Sequence, residues 1–160
     1  MQTLTLTDKD LARYWAKVEK SEGCWLWTAA TVPSGYGIFH HRDNHCAQAH
    51  RVSFEMANGA IPEHMQVDHM CHNRRCVNPD HMRLVTIKQN GENRMGAAAN
   101  STSGVRGVSF RKDRNTWRAK VYHNGRQYQK TCSTIAEAEA AVIAMRNELF
   151  THNILDRTSV

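Results

Sequence analysis

The spacing of apolar residues predicts two helices in the first 60 residues. Residues 7–20 ("TDKDLARYWAKVEK") place apolar side chains three or four positions apart, with Thr7 as a potential N-cap and acids in the first turn. Residues 49–59 ("AHRVSFEMANG") predict a second helix that ends at Asn-Gly. Between these helices, aromatic residues are separated by Gly, Pro and Ser, which is typical of short strands and turns.

A strand, a polar loop and a helix are predicted in that order between residues 63 and 93. Residues 63–69 ("EHMQVDH") predict the strand, which runs into "DHMCHNRRCVNPDHM" at residues 68–82. Residues 81–93 ("HMRLVTIKQNGEN") predict the beginning of a helix that stops at Gly91. The loop, which is rich in His and Cys, therefore lies between two ordered elements.

Three short strands and one helix are predicted after residue 104. The strands are residues 105–111, 116–122 and 126–132, and Asn124-Gly125 is a strong signal for a hairpin between the last two. A helix capped by Thr134, with apolar residues recurring every three or four positions, should cover one face of this sheet.

The other face of the sheet is predicted to be basic. In the middle strand the apolar residues Trp117, Ala119 and Val121 alternate with Arg118, Lys120 and Tyr122. The third strand places Arg126, Tyr128 and Lys130 on one face, which we assign to the basic side, although its other face carries Gln127 and Gln129. We therefore expect an exposed surface that can enter the major groove of DNA.

Charge and composition indicate two domains. Residues 104–130 contain eight Lys or Arg and one acid, whereas residues 95–104 ("MGAAANSTSG") are small and polar and are typical of a linker. The predicted organisation is an α+β fold with a first domain at 1–95, a linker at 96–103, a second domain at 104–152 and a tail at 153–160.

The overall composition excludes a membrane protein and a disulfide scaffold. No apolar run approaches the roughly 20 residues that cross a bilayer, and the start of the chain lacks a secretory signal. We expect a soluble, cytoplasmic protein without a membrane partner. Five unevenly spaced cysteines in a reducing compartment favour metal ligands and free thiols.

The loop contains a candidate zinc site. Cys71, Cys76 and His81 are spaced C-x4-C-x4-H, and a tetrahedral Zn²⁺ takes thiolate and imidazole ligands from such close pairs. The fourth ligand is either Cys24, which follows Gly23 and precedes Trp25 and Trp27 in "GCWLW", or Cys46. Cys132 is expected to be a small buried residue.

Further polar residues beside the cysteines suit phosphodiester cleavage. A neutral His69 at the end of a strand can activate water, and Asp68 and Asn90 offer the oxygen ligands that Mg²⁺ prefers. His72 is a rival for the base. Arg51 could contact a phosphate, whereas His50 and the other histidines outside the loop receive no role.

The loop with Asn90 resembles the HNH, or His-Me finger, nucleases, especially zinc-bearing homing endonucleases and their phage relatives. "GCWLW", "GYGIF" and "AHR" extend the likeness over about residues 20–94. The resemblance implies a ββα-metal fold with His69 as the base, Asn90 and Asp68 as ligands of a catalytic Mg²⁺ or Mn²⁺, and structural Zn²⁺ on Cys71, Cys76, His81 and Cys24. Asn78 should shape the loop.

The second domain resembles the DNA-binding domain of plant ethylene-response factors, the Apetala-two family. "SGVRGVSFR" and "NGR" carry this likeness over about residues 103–151. The residues expected to contact DNA are Arg106, Arg111, Arg118, Lys120, Tyr122, Arg126, Tyr128 and Lys130. The sequence does not show whether the chain acts as a monomer or a homodimer.

The combined prediction is a homing-type endonuclease that hydrolyses double-stranded DNA to 5′-phosphate and 3′-hydroxyl ends. One alternative is a non-catalytic, zinc-containing DNA-binding regulator. Another is a nonspecific or RNA-directed nuclease.

Overall fold

The chain divides into two compact units. The computed structural model describes residues 5–41 and 45–158, and the division falls between Ile87 and Lys88. This division comes earlier than the predicted domain boundary near residue 95. Residues 88–95 therefore group with the C-terminal unit.

In the described residues the first unit consists of two helices and three two-stranded antiparallel sheets. Its elements are α1 (Asp8–Trp15), β1 (Val18–Glu19), β2 (Leu26–Trp27), β3 (Ile38–His41), β4 (His45–Gln48), α2 (Ala49–Asn58), β5 (Met65–His69), a short 3-10 helix (Pro79–His81) and β6 (Met82–Thr86). The sheets pair β1 with β2, β3 with β4, and β5 with β6.

Helix α1 confirms the predicted cap but is shorter than predicted. The Thr7 hydroxyl accepts a hydrogen bond from the Asp10 backbone N–H at 3.2 Å, and the Asp10 carboxylate accepts one from the Thr7 N–H at 3.1 Å. The helix ends at Trp15 because Val18 and Glu19 pair with β2. A tertiary contact thus overrides the helical propensity of residues 16–20.

The prediction of a helix from residue 81 is wrong for its first part. Residues Met82–Thr86 form strand β6, which pairs over its whole length with β5, Met65 lying opposite Thr86 and His69 opposite Met82. Helix α3 (Ile87–Glu92) follows directly and includes Gly91. The two strands hold the His- and Cys-rich loop at their connection.

Aromatic side chains form one of the apolar clusters of the first unit. Tyr14, Trp27 and Phe39 are fully buried, and their ring centroids lie 5.2–6.1 Å apart. Gly37 is required here because a Cβ at this position would lie 2.4 Å from Cδ1 of Trp27. A second apolar cluster contains Phe54, Ile61, Val67 and Met82, so it anchors both β5 and β6.

The second unit contains α3, a three-stranded antiparallel sheet and two further helices. Its other elements are β7 (Val108–Arg111), β8 (Thr116–His123), β9 (Arg126–Cys132), α4 (Ile135–Leu149) and α5 (Ile154–Thr158), with β8 in the centre of the sheet. The predicted hairpin turn is confirmed, because Asn124 and Gly125 have φ angles of 49° and 74°.

Helix α4 packs on the apolar face of the sheet, as predicted. Ala119 and Val121 share one cluster with Ala138 and Val142, and Cys132 is buried in the same cluster. Residues predicted as a tail include α5, whose Asp156 accepts hydrogen bonds from the buried Arg146 at 2.6 and 2.8 Å. None of the helices in the described ranges is long and apolar enough to cross a lipid bilayer.

Candidate active site and metal centre

Four side chains from separate segments of the first unit form a possible metal site. The ligand atoms of Cys24, Cys71, Cys76 and His81 all lie within 4.8 Å of one another. Nδ1 of His81 lies 3.4 Å from Sγ of Cys24 and 3.6 Å from Sγ of Cys76. A tetrahedron with Zn–S of about 2.3 Å and Zn–N of about 2.0–2.1 Å has an S···N edge of about 3.5 Å, so the group fits such an ion.

Backbone hydrogen bonds hold the two cysteine-bearing segments together. The Trp27 N–H donates to the Arg75 carbonyl at 2.8 Å, and the Val77 N–H donates to the Trp25 carbonyl at 2.7 Å. Asn78 adds a side-chain bond to the Gly23 carbonyl at 2.9 Å and caps the 3-10 helix that carries His81. Asn78 thus shapes the loop and lies outside the group of four side chains that could hold a metal ion.

The remaining cysteines are placed elsewhere. Cys46 is exposed on β4 and Cys132 is buried in the second unit, so Cys24 is the upstream thiol of the group. Burial, with neighbouring thiols as a smaller cause, raises the pKa of Cys76 to about 12. A bound cation would favour the thiolate and reverse this effect, since a coordinating thiol is deprotonated.

His69 lies at the end of β5 and is only 6% exposed. Its Nε2 lies 2.9 Å from the carbonyl oxygen of Cys76. Because a carbonyl can only accept, Nε2 carries a proton, and in the neutral ring the basic lone pair is at Nδ1. Burial lowers the pKa of His69, which favours this neutral form.

Two aromatic neighbours of His69 were missed by the sequence analysis. The ring of His50, on α2, lies 4.7 Å from the His69 ring, and the Tyr36 ring lies 6.0 Å from it. Burial, with His69 as a smaller cause, lowers the pKa of His50 to about 3, so this ring stays neutral. The only signals in the sequence were the "AHR" and "GYG" motifs.

Asp68 is engaged by an arginine of the neighbouring strand. It lies opposite Arg83 in the β5–β6 pairing, and its Oδ2 accepts a hydrogen bond from Arg83 Nε at 3.0 Å. Asn90 is half-buried on α3, within the unit that begins at Lys88, and Arg51 is half-buried on α2.

The pairing of β8 with β9 corrects the face of the sheet that was predicted for three residues of the third strand. Arg126, Tyr128 and Lys130 lie opposite His123, Val121 and Ala119, and partners in a sheet share a face. That face is the one covered by α4. The assignment of these three residues to the basic face is therefore wrong.

The face of the sheet away from α4, called the open face here, has a different set of polar residues. Its principal side chains are Arg111 of β7, Arg118, Lys120 and Tyr122 of β8, and Gln127 and Gln129 of β9. Arg111 also pairs with the exposed Asp113 at 2.7 Å, and such surface pairs contribute little stability.

Arg106 was predicted to contact DNA, but its guanidinium binds backbone within the second unit. It donates to the carbonyls of Gly91, Glu92 and Arg94 at 2.9, 3.2 and 2.6 Å. These carbonyls lie at the end of α3, where a helix lacks internal partners. Arg106 is therefore a C-terminal cap of α3.

Comparison with known proteins identifies one family. A model of the HNH endonuclease family matches residues 47–92, which include β5, the loop and α3. Protein 3.8 of Escherichia phage T7 is 34% identical over 100 residues, covering 62% of this chain and 82% of that protein.

The alignments with two further relatives cover smaller shares of those proteins. Protein 2.8 of the same phage is 38% identical over 71 residues, covering 44% of this chain and 48% of that protein. Uncharacterized HNH endonuclease L560 of Acanthamoeba polyphaga mimivirus is 31% identical over 119 residues, covering 73% of this chain and 59% of that protein. No solved structure matches the chain. The chain therefore belongs to the HNH endonuclease family, with its HNH domain at residues 47–92.

Proposed function

We propose that this chain is a homing-type DNA endonuclease that uses His69 as the general base and a divalent cation as cofactor. The family match supports a nuclease acting on DNA. The observation that carries the assignment of the base is the hydrogen bond from His69 Nε2 to the Cys76 carbonyl. This bond fixes the tautomer whose Nδ1 can take a proton.

The reaction starts with water and ends with two DNA ends. His69 Nδ1 accepts a proton from a water molecule, and the hydroxide attacks the phosphorus atom in line with the 3′ oxygen. The bond from phosphorus to that oxygen breaks, and the released 3′ oxygen takes a proton from solvent water, which leaves a 5′ phosphate and a 3′ hydroxyl. As the family resemblance implies, Asp68 and Asn90 would be ligands of Mg²⁺ or Mn²⁺, and such an ion would supply positive charge to the phosphate.

The second metal has a structural role in this proposal. Cys24, Cys71, Cys76 and His81 would hold Zn²⁺, which leaves no coordination position for a substrate. The carbonyl that orients His69 belongs to Cys76, one of these ligands. Fixing the loop therefore also fixes the ring of the base.

The C-terminal sheet supplies affinity for duplex DNA in this proposal. Arg111, Arg118 and Lys120 on the open face would bind phosphates, as the resemblance to the Apetala-two family implies. Affinity should then fall steeply with salt, because bound cations are released from the DNA backbone.

The test is nicking of supercoiled plasmid in Mg²⁺ by the full chain. Replacing His69 by Ala should reduce cleavage by roughly 10²–10⁴-fold, the usual contribution of a general base, without loss of DNA binding. His72→Ala is the matched control, because this residue lies in the same loop, and it should cut at the parental rate. Parental cleavage by His69→Ala would show that another group activates water.

The ion pair between Asp68 and Arg83 favours one alternative function. An arginine on the carboxylate competes with a cation, as expected for a DNA-binding regulator that no longer cuts. A regulator would bind duplex DNA and show no Mg²⁺-dependent cleavage with either His69 or Ala. Cleavage spread over RNA and all duplex sequences would instead indicate a nonspecific nuclease.

A further inference from the structure

The open face carries a row of neutral polar side chains along its edge strand β9, beside the cations of β7 and β8. We infer that Gln127 and Gln129 in this row read adenine bases in the major groove of duplex DNA. The inference rests on the proposed binding of DNA by the C-terminal sheet, and it assigns the reading of sequence to residues outside the predicted contact set.

The two glutamines are ordered before any ligand binds. Tyr122 Oη donates to Oε1 of Gln127 at 2.6 Å, and Nε2 of Gln127 donates to Oε1 of Gln129 at 3.0 Å. Both glutamines are exposed and lie opposite Tyr122 and Lys120 of the central strand. Because the row restrains both side chains, less conformational entropy is lost when they bind a ligand.

The chemistry of a carboxamide matches adenine. Glutamine offers one acceptor and one donor side by side, which complement N6–H and N7 of adenine in the major groove. In this row of hydrogen bonds Gln129 takes part only through Oε1, which accepts from Gln127. The NH₂ group of Gln129 makes none of the hydrogen bonds of the row. That oxygen has a second lone pair, which can accept from adenine while the bond to Gln127 is kept.

The cations beside the row suit phosphates that border the groove. Arg111, Arg118 and Lys120 share the open face with the glutamines, and none of its six principal side chains is acidic. Nε of Arg118 is buried without a hydrogen-bond partner among the described residues. Phosphate contacts position a protein but carry no base information, so we assign these cations to phosphates and the reading of bases to Gln127 and Gln129.

The experiment is selection of preferred sites from duplex oligonucleotides with a randomised centre. The full chain carries His69→Ala to prevent cutting, alone or combined with Gln127→Ala, Gln129→Ala, Arg118→Ala or Lys130→Ala. We expect the parent to select adenine at defined positions. Each glutamine variant should lose the preference at one position by about 5- to 150-fold, the usual discrimination of a bidentate contact.

Two control variants distinguish the recognition of bases from the overall affinity for DNA. Arg118→Ala should weaken binding to all duplexes and reduce the salt dependence by about one phosphate contact, with the selected sequence unchanged. Lys130→Ala, on the same strand but the opposite face, should select the parental sequence. The inference is overturned if both glutamine variants select the same sites as the parent. If the parent selects no duplex and the chain with His69 cuts none, the proposed function itself fails.

Discussion

Arg106 shows at the scale of one residue how burial changes the meaning of a charge. A basic residue in a basic segment predicts a DNA contact, but this side chain lies among the carbonyls that end α3. Nothing in the local sequence distinguishes the two situations, because the carbonyls are 12–15 residues away along the chain.

Replacing Arg106 by Met should destabilise the second unit by about 2–4 kcal/mol, because three carbonyls lose a charged donor. Hydrogen exchange of the β8 amides under native conditions measures this free energy. Arg114→Met is the control, since Arg114 is 70% exposed and should change stability by less than about 0.5 kcal/mol. Unchanged protection together with weaker binding to every duplex would restore Arg106 as a phosphate contact.

The residues of the candidate metal group could be predicted from their chemistry and spacing. Contacts that depend on the packing of helices and strands could not. The spacing of Cys71, Cys76 and His81 indicated a metal group, because zinc sites commonly take Cys and His ligands that are a few residues apart in the sequence. The contact between His50 and His69 depends on how α2 packs against β5, so the sequence alone gave no role to His50.

At the scale of elements, register explains both a success and an error. The Asn124-Gly125 turn was recognised, and a two-residue turn of this type places His123 opposite Arg126. That pairing puts Gln127 on the face of Tyr122. The sequence of β9 alone could not show which of its side chains face α4, because both faces of this strand carry polar residues. Strand β6 was missed because it depends on non-local pairing with β5.

Gly107 allows β7 to pack closely on β8 and α4. It has φ of 81°, and a Cβ would lie 2.7 Å from the Lys120 carbonyl oxygen and 2.9 Å from Cγ2 of Val142. Gly107→Ala should therefore lower the free energy of unfolding of the second unit by about 2–4 kcal/mol, measured by hydrogen exchange.

Gly91→Ala is the matched control for this prediction. A Cβ at Gly91 meets no atom within 4 Å, and helical Ala is favoured over Gly by up to about 1 kcal/mol. Equal stability of the two variants would mean that the sheet and α4 can move apart without cost.

At the scale of the whole molecule, the two units differ in how they are held together. Within its described residues the first unit has three two-stranded sheets. Its candidate metal group brings Cys24 next to Cys71, Cys76 and His81 of the loop. The second unit has a continuous apolar cluster between one sheet and α4. The first unit should therefore depend on metal for its fold, and the second should not.

With Zn²⁺ bound as proposed, its removal by a chelator should increase hydrogen exchange around residues 23–27 and 70–81, while the β8 amides stay protected. Cys76→Ser should show the same pattern without a chelator. Cys46→Ser should behave like the parent, because Cys46 is exposed and outside the group. Equal loss of protection in both units would disprove independent folding of the second unit.

Cys76 joins two kinds of chemistry on a single residue. Its thiol belongs to the group of four candidate ligands, and its carbonyl oxygen accepts a hydrogen bond from Nε2 of His69. Oxidation of this thiol by peroxide would remove it from the group of four and would disturb the segment whose carbonyl orients His69. If His69 is the base as proposed, cleavage would then be sensitive to oxidants although neither His69 nor the substrate is oxidised.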